Sequence, residues 1–253
     1  MSEPILRLAM WSGPRNISSA MMRAWGSRAD TFVCDEPLYP HYLLATGIDH
    51  PGRDTIIACY QTDWRRVVTW LSGPIPGKHR IFFQKHMAHH LLPEIDRSWM
   101  AAVTNAFLIR DPAEMLASLS QVRAEPTLAE TGLPQQLEIF QKVADALGDA
   151  PPLLDARDVL EDPEGMLRAL CAAVRVDFDP AMLHWEPGRR ETDGIWGEYW
   201  YGAVEKSTGF QPYRPPQVAL PARLQPLLEE CRALYAQLHK YRLRALRPSA
   251  TGS

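Results

Sequence analysis

A glycine-containing segment near the N-terminus is the first group of residues whose types and spacing could do chemistry. It reads Ser12-Gly13-Pro14-Arg15-Asn16-Ile17-Ser18-Ser19 and lies between residues 5–11, a predicted strand, and residues 18–27, a predicted helix. Such a turn places backbone N–H groups and the positive end of a helix where an anion can bind. Arg15 adds a full positive charge, and the two serines could contact the anion or simply cap the helix. The segment predicts an anion-binding loop.

A second cationic feature lies further along the chain. Arg110 follows the predicted strand 106–109, and Asp111 and Pro112 begin a predicted helix that contains Ser118. Eight residues of helix advance by about 12 Å, but the long arginine side chain can swing back, so Arg110 and Ser118 could contact one phosphate. Alternatively, Arg110 pairs with Asp111 and Ser118 is only solvated.

The kind of anion is restricted by what the first loop lacks. A P-loop NTPase needs the pattern G-x-x-x-x-G-K-[ST] and a carboxylate that holds Mg²⁺, and neither is evident in this sequence. A sulfuryl group carries less negative charge than a phosphoryl group, so lysine, arginine and backbone donors can stabilise its transfer without a metal. The loop therefore favours sulfuryl transfer.

Candidate catalytic bases follow the second and third predicted strands. Transfer of a sulfuryl group needs a base that takes the acceptor's proton and a cation that stabilises the bridging oxygen. Arg15 and Lys85 are the candidate cations. An imidazole such as that of His86 can titrate near neutral pH, whereas Glu36, in the segment 34–37, would need desolvation to raise its pKa. Alternatively, His86 only packs after its strand and Glu36 pairs with a nearby arginine.

The histidine spacing raises the separate question of a metal site. His86, His89 and His90, with Glu94, have a spacing that could ligate zinc on a helix. The H-E-x-x-H pattern is missing, however, and the segment begins as a strand. We therefore expect no metal site.

Aromatic residues are concentrated in two places where an acceptor could bind. Tyr39, His41 and Tyr42 follow Glu36 in the sequence. The irregular segment 185–216 contains six Trp and Tyr residues: Trp185, Trp196, Tyr199, Trp200, Tyr201 and Tyr213. Their faces could hold adenine or an apolar acceptor, or most of them could belong to the core. We predict that the acceptor pocket is lined by Glu36, Tyr39, His41, Tyr42 and Trp196.

Strands and helices that would position these residues alternate along the chain. The predicted strands are residues 5–11, 31–34, 80–84, 106–109 and 153–157, and the predicted helical segments are 18–27, 112–122, 127–148, 163–174 and 220–246. The alternation implies crossover connections and therefore an α/β fold with a parallel sheet flanked by helices. We predict one domain, residues 1–248, and a frayed tail, residues 249–253.

Charge and cysteine content exclude several classes of function. The net charge of −3 gives no general attraction to nucleic acid or acidic membranes. The four cysteines form no C-x-x-C pair, which argues against a disulfide framework and fits a reducing compartment. Arg7 interrupts the N-terminal apolar run, and no apolar stretch is long enough to span a membrane. We expect a cytoplasmic protein with a small-molecule partner. The sequence leaves open whether two copies form a homodimer.

The two anion-binding segments together resemble sulfotransferases that use 3′-phosphoadenosine 5′-phosphosulfate (PAPS). Arg110-x-Pro112 followed by Ser118 is similar to the family's element for the 3′-phosphate of the donor. Residues 153–170 and 174–183 are similar to the elements that follow in bacterial members, so the resemblance covers most of residues 5–215. It implies a sulfotransferase fold like that of P-loop NTPases, and PAPS as the donor.

The resemblance also implies roles for individual residues. The loop from Arg15 to Ser19 would bind the 5′-phosphosulfate. Arg110, Ser118 and Lys206 would bind the 3′-phosphate. Ser207 and Gly209, beside Lys206, would belong to the same donor-contacting loop. The catalytic histidine of cytosolic members falls on His86 when the chains are aligned on residues 91–93, and on Met87 when they are aligned on Lys85. Because Glu36 resembles the acidic base of carbohydrate and trehalose sulfotransferases, the base remains a choice between His86 and Glu36.

Two other functions stay open at this point. A P-loop kinase or NTPase-like phosphotransferase would bind ATP together with Mg²⁺. A nonenzymatic protein on the same scaffold would bind a nucleotide or metabolite and would need neither His86 nor Glu36.

Overall fold

Five short strands form one parallel sheet in the computed structural model, which describes residues 5–215 and 220–246. They are β1 (Leu6–Ser12), β2 (Thr31–Asp35), β3 (Ile81–Met87), β4 (Thr104–Ile109) and β5 (Leu153–Asp155). Their order in space is β2-β3-β1-β4-β5, so β1 is central. Because the strands are parallel, their carboxyl ends share one edge of the sheet, where open α/β sheets bind their ligands.

Helices connect the strands and cover both faces of the sheet. They are α1 (Ser18–Gly26), α2 (Tyr39–Thr46), α3 (Arg53–Cys59), α4 (Trp64–Ser72), α5 (Pro112–Leu119), α6 (Leu133–Leu147), α7 (Ala156–Glu161), α8 (Pro163–Ala173), α9 (Gly197–Trp200) and α10 (Gln225–His239). Asp111 and Asp162 cap α5 and α8, as their positions before proline predict. Throughout 5–215 and 220–246, every helix is too short or too polar to cross a membrane.

The core lies on both faces of the sheet because side chains alternate along each strand. On β1, Leu8 and Met10 pack on the face covered by Trp25 of α1, whereas Trp11 packs on the opposite face with Phe107 of β4. Burial on both faces explains why the strands read as nearly continuous apolar runs. The same alternation decides which residues of β3 can reach a site on one face.

The predicted α/β class with a parallel sheet flanked by helices is confirmed, and each predicted strand overlaps an observed one. β3 continues to Met87, beyond its predicted end. β5 is shorter than predicted, because the Asp155 side chain accepts a hydrogen bond from Arg157 N and begins α7. The single domain at 1–248 stays a prediction, and the predicted tail at 249–253 lies outside the described residues.

The helices differ more from the prediction. α6 begins at Leu133 rather than at residue 127, because Gly132 has a φ of 72° and a proline follows in the first turn. α5 ends at Leu119, and within 220–246 the α-helix extends only over residues 225–239. Three helices between β2 and β3, α2, α3 and α4, were not predicted. Each has fewer than ten residues, which is too short for a clear apolar period.

Candidate active site

The loop between β1 and α1 is fixed by contacts with its neighbours. Asn16 Nδ2 donates a hydrogen bond to Leu108 O at 2.9 Å, and Asn16 Oδ1 accepts one from Ile17 N at 2.8 Å. Gly13 lies so close to Thr131 that a Cβ atom on it would be 2.5 Å from the Thr131 carbonyl oxygen. Only glycine allows this close approach of two backbone segments. The loop is therefore held in place by β4 and by the turn before α6.

Arg15 connects this loop to the second cationic feature. Arg15 has a φ of 54°, in the left-handed region that few residues other than glycine adopt. Its Nε donates to Ser118 Oγ at 2.9 Å, and its carbonyl oxygen accepts from Arg110 Nη1 at 2.7 Å. Burial, and after it the charge of Arg110, lowers the pKa of Arg15. Because these two cations repel each other, an anion beside them would be stabilised.

The alternative interpretation of Arg110 is not observed. Asp111 accepts hydrogen bonds from the backbone of Ala113 and Glu114 and thereby caps α5. Arg110 Nε instead donates to Glu114 Oε2 at 3.1 Å, and Glu114 Oε1 accepts from Tyr213 OH at 2.6 Å. A carboxylate thus balances part of the charge of Arg110 and orients its guanidinium group.

The N-terminus of α1 faces the same space as Arg15. No side-chain hydrogen bond caps this helix among the described residues, so the serines are not caps. Ser18, Ser19 and Ala20 line the cavity described below. The first N–H groups of a helix have no partner within the helix and attract anions.

A cavity of about 780 Å³ extends from the loop to the carboxyl ends of β2 and β3. It is lined by most of the predicted site residues, namely Pro14, Arg15, Asn16, Ile17, Ser18, Ser19, Glu36, Tyr39, Tyr42, Lys85, Arg110, Ser118, Ser207 and Gly209. The predicted site residues that do not line it are Gly13, His41, His86, Trp196 and Lys206. The fold therefore brings most of the residues predicted for the donor and the acceptor to one cavity and leaves the others outside it.

Lys85 is buried at the inner end of the cavity, with 1% of its side chain exposed. Its Nζ donates to Asp35 Oδ1 at 2.8 Å, to Tyr201 OH at 2.7 Å, and to Glu36 Oε1. The Tyr201 hydroxyl in turn donates to Asp35 at 2.7 Å. Burial opposes the charge of Lys85, but the two carboxylates outweigh it and raise the Lys85 pKa. Lys85 thus remains charged and holds one oxygen of Glu36.

Glu36 directly follows β2 and has a φ of 41°, in the left-handed region. Its backbone N donates to Lys85 O at 2.9 Å, which continues the pairing of β2 with β3 for one more residue. Burial raises the pKa of the Glu36 carboxyl, although Lys85 acts in the opposite direction. A glutamate with a raised pKa that lines a cavity fits the requirement for a general base.

His86 lies on the opposite face of the sheet from Lys85, because adjacent strand residues point to opposite faces. Its ring stacks on Trp11 with 4.4 Å between centroids, and 1% of the residue is exposed. Burial, with a further contribution from Lys85, lowers the pKa of His86 to about 3. The fold does not bring His86 to the cavity. The alternation along β3 was a signal in the sequence that could have separated it from Lys85.

Two cavity histidines received no acceptor role from sequence reasoning. His89 and His90 line the cavity directly after β3, although the sequence suggested them only as zinc ligands. Among residues 5–215 and 220–246, no three His, Cys, Asp or Glu side chains are grouped so that they could hold a metal ion. Trp200, one of the aromatic residues noted in segment 185–216, also lines the cavity. So does His50, which no local pattern in the sequence marks.

Only some of the acceptor residues predicted on α2 line the cavity, because residues on different faces of a helix point in different directions. Tyr39 and Tyr42 are three residues apart, so they share one face and both line the cavity. His41 points elsewhere, and its Nδ1 lies 3.0 Å from Thr62 O. Trp196 is 1% exposed and packs edge-on against Tyr39, with 5.2 Å between ring centroids. It is a core residue behind the cavity wall.

Only part of the segment predicted to contact the donor near its 3′-phosphate lines the cavity. Ser207 and Gly209 line the cavity, whereas Lys206 is exposed and does not. The Ser207 hydroxyl accepts from Trp185 Nε1 at 3.0 Å and donates to Val204 O at 2.7 Å, which fixes the turn. Arg214, which sequence reasoning did not select, lies five residues after Gly209 and supplies a cation to this part of the cavity.

Comparisons with known proteins identify the family and the fold. A family model described as a sulfotransferase domain matches residues 6–240. Two curated relatives from Arabidopsis thaliana are named branched-chain-amino-acid aminotransferase-like protein 2 and protein 1. The first is 34% identical over 226 residues, which are 89% of this chain and 40% of the relative. The second is 33% identical over 242 residues, 95% of this chain and 43% of the relative. The chain thus spans about two fifths of the length of these relatives.

Solved structures share the fold at low sequence identity. A sulfotransferase domain from the curacin biosynthetic pathway has a TM-score of 0.54 and 16% identity, and the match covers 97% of this chain and 100% of that one. A sulfotransferase from Alicyclobacillus acidocaldarius has a TM-score of 0.55 and 14% identity, with 97% and 98% covered. These likenesses show that the sheet and its helices have the P-loop-like arrangement of sulfotransferases.

Proposed function

The chain belongs to the sulfotransferase domain family, and on that premise we propose that it transfers a sulfuryl group from PAPS to a hydroxyl or amine of a small-molecule acceptor. The contact of Arg15 with Ser118 and Arg110 carries the proposal. These contacts join two cationic segments into one anion-binding wall. PAPS has two anionic groups, the 5′-phosphosulfate and the 3′-phosphate, so a wall with two cationic segments suits it.

The proposed donor contacts follow from the lining of the cavity. The loop residues 14–19 and the N-terminus of α1 would hold the 5′-phosphosulfate. Arg110 and Ser118, with the turn at 207–209, would hold the 3′-phosphate. We add Arg214 to this group and leave out Lys206, because Arg214 lines the cavity and Lys206 does not.

In the proposed reaction, the acceptor oxygen or nitrogen forms a bond with sulfur while the bond from sulfur to the 5′-phosphate oxygen breaks. Glu36 takes the proton of the acceptor, and adenosine 3′,5′-bisphosphate leaves with the bonding electrons. Arg15 stabilises negative charge on the donor. Lys85 orients Glu36 through Oε1 and balances its charge. We assign the base to Glu36 rather than His86, because Glu36 lines the cavity and His86 does not.

The other candidate activities receive less support. The matching family is one of sulfotransferases rather than kinases, and the loop lacks the lysine of a P-loop NTPase. The word aminotransferase in the names of the curated relatives belongs to proteins of which this chain spans about two fifths. We do not extend it to this chain.

A ligand comparison tests the donor assignment. Adenosine 3′,5′-bisphosphate at millimolar concentration should raise the melting temperature, since a ligand that binds only the folded state stabilises it by RT ln(1 + [L]/Kd). ATP with Mg²⁺ is the comparison ligand. Stabilisation by ATP·Mg²⁺ and not by the bisphosphate would overturn the proposal. Incubation of radiolabelled PAPS with panels of alcohols, sugars and amines would then identify the acceptor.

A further inference from the structure

His90 combines burial with an unpaired nitrogen at the inner end of the cavity. The residue is only 2% exposed, yet it lines the cavity. Its Nδ1 has no hydrogen-bond partner among the described residues. A buried polar atom without a partner is costly, and in native structures it calls for a specific explanation such as a ligand. The proposed reaction so far gives this atom no role.

The orientation of the His90 ring is fixed by its neighbours. Tyr39 stacks on it with 4.7 Å between ring centroids and 13° between the planes, and Tyr42 lies 4.7 Å away at 32°. The Tyr39 hydroxyl is in turn 2.9 Å from His50 Nδ1. Tight packing of flat rings restricts rotation, so Nδ1 is held in one direction.

That direction brings Nδ1 to within 3.9 Å of Glu36 Oε2. The other oxygen, Oε1, is the one that accepts from Lys85. A separation of 3.9 Å is too long for a hydrogen bond, but one oxygen or nitrogen atom can lie about 2.8–3.0 Å from both ends. A single polar atom in the gap beside these two atoms, off the line that joins them, would therefore contact both.

We infer that the nucleophilic atom of the acceptor binds between Glu36 Oε2 and His90 Nδ1, so that His90 positions the nucleophile while Glu36 takes its proton. This inference rests on the proposed sulfuryl transfer. It adds a substrate-contacting residue that neither the family match nor the sequence resemblance assigns.

The hydrogen-bonding capacity of a hydroxyl fits this gap. A hydroxyl group donates its proton to Glu36 Oε2, accepts a hydrogen bond from His90 Nδ1–H, and keeps one lone pair directed at sulfur. Its O–H bond breaks as the proton moves to Glu36, and the O–S bond forms as the donor's S–O bond breaks. An amine, which has two N–H bonds, instead donates to both atoms when Nδ1 is unprotonated. His90 stays neutral in either case, because burial lowers its pKa well below the usual value.

Two substitutions at His90 distinguish the effect of its Nδ1 atom from the effect of its ring packing. His90→Phe keeps a flat ring between Tyr39 and Tyr42 but removes Nδ1. His90→Asn removes the ring and places an amide nitrogen near the Nδ1 position. His79→Phe, at a half-buried histidine that does not line the cavity, is the matched control. The acceptor probes are benzyl alcohol and benzylamine, whose aromatic ring suits a cavity wall rich in rings.

We expect His90→Phe to lower kcat/KM for the better probe by at least tenfold, His90→Asn to recover part of the loss, and His79→Phe to stay at the wild-type level. Thermal stabilisation by adenosine 3′,5′-bisphosphate should be the same in all four proteins. Unchanged kcat/KM in His90→Phe would overturn the inference and leave the proposed function intact.

Binding of the probes provides a second readout. In the presence of the bisphosphate, His90→Phe should bind the better probe at least tenfold more weakly by calorimetry. A wild-type protein that binds the bisphosphate but neither binds nor converts either probe also contradicts the inference. Failure of the wild-type protein to bind the bisphosphate would instead overturn the proposed function, and this inference with it.

Discussion

Arg15 Nε and Ser118 Oγ, 2.9 Å apart, join two segments that are separated by more than a hundred residues in the chain. Arg110 strengthens the junction by donating to the carbonyl oxygen of Arg15 at 2.7 Å. The loop after β1, Arg110 directly after β4 and Ser118 in the last turn of α5 are therefore one surface. If this surface binds the proposed donor, a change in either segment should affect binding at both ends of that donor.

Arg110→Ala tests this surface. The change removes a cation and its hydrogen bond to the Arg15 carbonyl, so adenosine 3′,5′-bisphosphate should bind more weakly by more than about 1.5 kcal/mol, or at least tenfold in Kd. Titration calorimetry measures the loss. Arg66→Ala is the control, because the Arg66 side chain is 76% exposed and lies outside the cavity. Equal affinity of the two variants for the bisphosphate would show that Arg110 does not bind it.

Glu36→Gln tests the assignment of the base. We expect kcat to fall by a factor on the order of 10²–10⁴ with little change in bisphosphate binding, because the amide cannot accept the proton. Since burial raises the Glu36 pKa, the wild-type kcat should increase with pH through a value above the ordinary pKa of about 4.3. This increase should disappear in the variant. Initial rates across the pH range, with the acceptor found by screening, measure both effects.

His86→Phe provides the matched comparison for Glu36→Gln. The phenyl ring can keep the stacking on Trp11, and His86 does not line the cavity, so kcat should stay within a few-fold of the wild-type value. A loss as large as that of Glu36→Gln would reverse the assignment and make His86 the base.

Acid should destabilise the protein through buried histidine. The folded-state pKa of His86 is about 3, whereas an unfolded histidine titrates near about 6.5. Between these values the unfolded state binds a proton that the folded state excludes, so stability is lost as pH falls from about 6.5 toward 3. His86→Phe should reduce the slope of the unfolding free energy by about 1.4 kcal/mol per pH unit. Urea titrations at pH 4–6 measure this slope. At pH 8 His86 is neutral in both the folded and the unfolded state, so the difference in stability between the two proteins there reports the change in packing alone. Identical slopes in the two proteins would contradict the prediction.

Gly13→Ala should distort the anion-binding loop. The new Cβ would lie 2.5 Å from the Thr131 carbonyl oxygen, so two backbone segments must separate. We expect a loss of about 1–3 kcal/mol in the free energy of unfolding, together with weaker bisphosphate binding. Gly202→Ala is the control, because a Cβ there meets no atom within 4 Å. Chemical denaturation of the two variants should distinguish them, and equal stabilities would show that the loop tolerates the shift.

Local sequence signals were sufficient for the elements that carry the proposed donor site. The apolar runs predicted all five strands, because buried parallel strands need apolar side chains on both faces. The Asp-Pro pairs marked the beginnings of α5 and α8, because proline fits the first helical turn and aspartate caps it. Arg15 and Arg110 were chosen as candidate anion ligands from their places after predicted strands, and Ser118 from its place eight residues after Arg110.

Tertiary structure decided the acceptor side. Lys85 and His86 are neighbours in the sequence, but the alternation of β3 places one in the cavity and the other in the core. His90 meets Glu36 only because β2 and β3 are paired, and Tyr201 reaches Lys85 from more than a hundred residues away. Contacts between distant segments depend on how helices and loops pack, which no local pattern encodes. The sequence by itself determined the fold class and the candidate anion ligands, and packing decided which groups line the proposed acceptor site.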